Sequence, residues 1–132
     1  MRKSKPASDE KRLTNVELEL MSILWGLGEA NVAQVIAGLP AERVLAYTSV
    51  STILRILEGK GFVAARREGR GHLYKPQLTR SEYEARAVKD VVNRVFQGVP
   101  VAMVRQLLDN VHMSADDVRE LRKLVSSIKD RK

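Results

Sequence analysis

A single break in helical periodicity constrains the fold of this chain more than any other feature. Apolar residues recur at helical spacing up to Leu57 and again beyond Arg80, but Phe62–Arg66 and His72–Lys75 between them read as short extended segments. Glu68-Gly69-Arg70-Gly71 joins the two, and its glycines supply the positive φ that a tight hairpin turn needs. The fold class expected is mainly α with one small β-hairpin.

The helices are legible from their starts, because the free N–H groups of a first turn need side-chain acceptors. Thr14 and Glu17 form a capping box for a first helix that runs to about Trp25, where Gly26 and Gly28 stop it. Asn31 and Gln34 repeat the pattern ahead of a short second helix closed by Pro40. A third helix is expected over about residues 48–59, with Val50, Ile53, Leu54 and Leu57 on one face and Gly59 and Gly61 at its end. Beyond the hairpin, Pro76 bars the second strand from continuing, and Thr79 with Glu82 opens a fourth helix that lasts until Gly98. Pro100 suits the first turn of a fifth helix, and Ser114 with Asp117 caps a sixth.

Three helices followed by a hairpin is the order of a winged helix-turn-helix, whose third helix enters the DNA major groove. Charge agrees with that reading. The 132 residues carry 23 Lys+Arg against 16 Asp+Glu, a net +7. Residues 13–42 contain no cation, whereas residues 43–80 hold Arg43, Arg55, Lys60, Arg66, Arg67, Arg70, Lys75 and Arg80 against Glu58 and Glu68 alone. A basic stripe of this kind attracts a polyanion, because neutralised phosphates release their condensed counterions. If the Val50–Leu57 stripe faces inward, Thr48, Thr52, Arg55 and Gly59 face outward, with Ser49 beside them and Ser51 at the edge. Short hydroxyls let a helix approach base edges, and Arg55 can grip guanine or phosphate with both arms of its guanidinium. Lys60 at the helix end and Arg66, Arg67, Arg70 and His72 on the wing are the remaining candidate DNA contacts.

Other classes fit less well. His72 and His112 are the only histidines, no His-Glu-x-x-His is present, and no catalytic or metal set assembles; no enzyme activity and no cofactor is expected. Zero Cys excludes a disulfide framework, and no apolar run approaches a membrane span, so the expected location is the cytoplasm. The main rival is a winged helix that binds another protein, since fold alone does not fix function.

Residues 1–12 are expected to be a flexible basic tail, residues 13–78 the winged-helix domain and residues 79–132 a helical dimerisation domain. The last assignment follows from apolar supply. Val88, Val91, Val92, Val95, Phe96, Val104, Leu107, Leu108, Leu121, Leu124, Val125 and Ile128 exceed what three helices without a fourth partner can hide, and a second copy would cover them.

Leu13-Thr14, Glu17–Met21, Ile23-Leu24-Trp25, Val32–Val35, the run Ala46–Leu57, Lys60-Gly61, Gly69-Arg70 and Tyr74-Lys75-Pro76 together resemble the penicillinase-repressor (BlaI/MecI-type) family. The resemblance extends over about residues 13–128 and implies a homodimeric bacterial transcriptional repressor that reads an inverted-repeat operator in double-stranded DNA. Antibiotic-responsive members of that family have a membrane-bound sensor protease as partner, which cuts an Asn-Phe bond in the fifth helix. Here Gln106-Leu107 stands at the matching position, which argues against that partner. The C-terminal Cys motif of copper-responsive relatives is absent as well.

Overall fold

The computed structural model describes residues 12–128. The expected basic tail lies outside them except for Arg12. The elements are α1 (Asn15–Leu27), α2 (Val32–Ala37), α3 (Tyr47–Gly59), β1 (Val63–Glu68), β2 (Gly71–Pro76), α4 (Arg80–Arg94), α5 (Pro100–Asn110) and α6 (Ala115–Ser126). The chain forms two compact units, up to Val88 and from Lys89.

All four expected capping boxes form. At the start of α1, Thr14 N–H donates to Glu17 Oε1 at 2.8 Å and Glu17 N–H donates to Thr14 Oγ1 at 3.2 Å. Asn31 and Gln34 do the same for α2, Thr79 and Glu82 for α4, and Ser114 and Asp117 for α6. Gly26 is tolerated inside α1, which ends two residues later than its spacing predicts. Gly28 is the stop, with φ +86° and its N–H donating to Leu24 O at 2.7 Å.

The first unit packs Leu20, Met21 and Leu24 of α1, Val35 of α2 and Val50, Leu54 and Leu57 of α3 around Phe62, Val63 and Tyr74, all of them buried. Alternation along the antiparallel hairpin sets its register, with Val63 opposite Pro76 and Glu68 opposite Gly71. The strands therefore run further than the sequence suggests and leave a two-residue loop. Of the two glycines at this turn only Gly69 takes a positive φ, +60°, at the first central position where a type II′ turn requires it. Ala30 adds a one-residue third strand: its N–H donates to Tyr74 O at 3.0 Å, and its carbonyl accepts from Tyr74 N–H at 2.8 Å.

The compact unit extends past the expected boundary at residue 78 because the first turn of α4 packs back on it. Tyr83 lies 6.0 Å, ring to ring, from both Trp25 and Phe62, and its hydroxyl accepts from Leu13 N–H at 3.2 Å. Trp25 is half-buried and donates its indole N–H to Leu78 O at 2.9 Å. In the second unit Pro100 occupies the first turn of α5. No residue of α4, α5 or α6 is buried.

Candidate nucleic-acid interface

Burial of Val50, Leu54 and Leu57 fixes the rotation of α3 about its axis. Thr48, Ser49, Thr52, Arg55 and Gly59 are consequently exposed along its outward side, and Ser51 is half-buried at the edge, as the spacing predicts. Thr48, Ser49, Thr52 and Ile53 line a shallow depression on this face. No side chain caps the start of α3, since Ala46 precedes it. Its first-turn N–H groups stay available to an anion, which the helix dipole also favours.

On the wing, strand alternation sends Arg66 and Arg67 to opposite faces. Arg67 is paired in register with His72, so these two share a face, and both are exposed together with Arg70 in the loop. Arg66 turns the other way and meets Glu29, with Nε 3.1 Å from Oε2. That hydrogen bond, reinforced by the charge of Glu29, raises the guanidinium pKa. Between the wing and the starts of α2 and α3 lies a cleft of about 460 Å³ lined by Glu29, Asn31, Gln34, Tyr47, Glu68 and His72, among others.

Lys60, an expected contact, is engaged within the protein: its Nζ lies 2.8 Å from Oε1 and 2.9 Å from Oε2 of Glu17, a carboxylate whose side chain is only 7% exposed. A charge so far removed from water requires a counterion, and Lys60 supplies it. Arg43 is likewise held by Glu19 at 2.9 Å, and Arg80 lies over the Trp25 ring at 5.0 Å. Of the eight cations in residues 43–80, Arg55, Arg67, Arg70, Lys75 and Arg80 have no acidic partner among the described residues. Arg55 belongs to the outward side of α3, and Arg67, Arg70 and Lys75 to the wing.

Sequence spacing missed two exposed side chains here, Tyr47 at 59% and Ile56 at 45% exposure. The signal for Ile56 was its position eight residues beyond Thr48, on the same row of the helix. Burial pushes the Tyr74 phenol pKa up, and the charges of Glu58 and Arg55 act on it too. Among the described residues no group of three His, Cys, Asp or Glu side chains gathers to hold a metal, and no helix is long and apolar enough to cross a membrane.

The sequence matches the family described as penicillinase repressor over residues 13–127. It is 28% identical to the penicillinase repressor of Bacillus licheniformis over 92% of this chain and 94% of that protein. It is 33% identical to the transcriptional regulator BlaI of Mycobacterium tuberculosis (strain CDC 1551 / Oshkosh) over 89% and 85% of the respective chains. Among solved structures, the DNA-binding domain of the repressor BlaI superposes with a TM-score of 0.50 at 28% identity, covering 63% of this chain and 94% of that domain. The hairpin and the three helices before it make the fold a winged helix like that domain.

Proposed function

The chain belongs to the penicillinase repressor family, and from that premise we propose that it is a transcriptional repressor that binds a specific operator in double-stranded DNA as a homodimer. The observation that carries the reading is the set of unpaired cations, Arg55 on α3 and Arg67 and Arg70 on the wing, around an outward row of small hydroxyl side chains. Thr48, Ser49, Thr52 and Arg55 read base edges, with Ser51 at the rim; Arg67, Arg70 and His72 lie over the sugar-phosphate backbone. Arg66 contributes less, because Glu29 already neutralises it. Repressors of this family are not enzymes, and operator binding puts this one in the cytoplasm with the chromosome.

Dimerisation rests on the second unit. Val95, Leu108, Leu124, Val125 and Ile128 are each about half exposed in the single chain, and Val104 and Leu107 only somewhat less. Val91, Val92, Phe96 and Leu121 are half-buried, while Val88, at the end of the first unit, is half exposed. Leaving so much apolar area in water is costly, at about 25 cal/mol for each Å². A two-fold partner presenting the same helices covers it and brings two α3 helices about one DNA turn apart, roughly 34–36 Å. Footprinting the full chain on the DNA upstream of its own gene tests the whole reading. Two protected half-sites in inverted orientation are expected; uniform protection, independent of sequence, would overturn it.

A further inference from the structure

Thr48, Thr52 and Ile56 follow one another at four-residue steps along the exposed side of α3, within about 80° of each other at roughly 100° per residue. Ile56 contributes nothing to the buried stripe, which Val50, Leu54 and Leu57 complete without it, and it remains 45% exposed. A lone exposed isoleucine is ordinary on a protein surface. This one shares its row with two threonines whose γ-methyl groups make the row partly apolar, and it adjoins Arg55, which has no acidic partner.

A surface that served only to hold phosphate would gain nothing from an isoleucine there. The major groove does offer one apolar target, the 5-methyl group of thymine, and apolar side chains beside hydrogen-bonding ones distinguish it from cytosine. We propose that Ile56 is a specificity-determining residue that packs against a thymine 5-methyl group, with the Thr52 methyl next to it. The inference rests on the reading of α3 as the DNA-reading helix.

The experiment begins by selecting an operator from a random duplex pool with the full chain. Each of its thymines is then replaced in turn by deoxyuridine, which keeps the base pair and deletes the methyl group. The wild-type protein should bind about fourfold more weakly at one thymine per half-site, the weight of one buried methyl-sized group. Ile56→Ala should bind the thymine and uracil duplexes equally at that position, and Ile56→Val should retain part of the difference. A wild-type scan that is flat at every thymine overturns the proposal, as does full discrimination by Ile56→Ala at the same thymine. Arg55→Ala on the same duplexes separates the two levels of failure. If it loses sequence preference while the scan is flat, only the role of Ile56 falls; if it also binds like wild type, the reading of α3 falls with it. Should Ile56→Ala not fold, the wild-type scan and Ile56→Val decide.

Discussion

Replacing Lys60 by Met should destabilise the first unit by about 2–3 kcal/mol. The Glu17 carboxylate accepts from Lys60 Nζ at 2.8 and 2.9 Å and from Thr14 N–H at 2.8 Å, in a site where its own side chain is 7% exposed. Without the ammonium, a nearly buried anion keeps one donor. Breaking a buried pair in this way costs about 3–5 kcal/mol, and the 28% exposure of Lys60 admits enough water to lower that figure. Glu17→Gln should cost less, about 1 kcal/mol: the amide oxygen still caps Thr14 N–H, and the freed ammonium can turn toward solvent. The double variant removes both charges and should be less damaged than the two single losses added together, with a coupling of about 1–2 kcal/mol. Urea unfolding followed by the fluorescence of Trp25, the one tryptophan in the sequence, measures all three. A loss below about 0.5 kcal/mol for Lys60→Met, the ordinary range of a surface substitution, would refute the reasoning. So would strict additivity in the cycle.

Arg55→Ala should lower operator affinity by about 1–3 kcal/mol and relax preference at one position per half-site, read by competition between variant duplexes. Replacing Arg67 and Arg70 by Ala should weaken binding to all sequences alike and reduce the slope of log affinity against log salt by about 0.9 for each phosphate no longer neutralised; Glu29→Gln should steepen that slope by releasing Arg66. A chain cut after residue 88 should unfold cooperatively and sediment as a monomer. One cut after residue 80 should be less stable in urea, because it lacks Tyr83 and its ring packing against Trp25 and Phe62.

Local chemistry was the part of this fold that the sequence made legible. Each capping box depends on residues three apart, and the outward side of α3 depends only on helical period, so Thr48, Thr52 and Arg55 stand where spacing puts them. Partners distant in sequence were not legible. Glu17 lies 43 residues before Lys60 and Glu29 lies 37 before Arg66, so nothing local marks either cation as taken. The same holds for Tyr83, whose hydroxyl reaches Leu13 across 70 residues and moves the edge of the first unit into α4. Ile56 is masked for a different reason: it belongs to an apolar run with Ile53, Leu54 and Leu57, which outweighs the signal of its spacing from Thr48 until the packed helix shows Leu54 and Leu57 buried and Ile56 exposed.

The specificity ratio tests the central claim most directly. Binding of the full chain is measured at about 150 mM salt to a duplex from its own upstream region and to the same composition scrambled. A repressor that reads bases through α3 should prefer the first by about 10³-fold or more, the usual separation between specific and non-specific binding, and Arg55→Ala should collapse much of that preference. Equal affinity for the two duplexes, with a salt slope the same on both, would contradict the account and leave a basic surface that holds DNA without reading it.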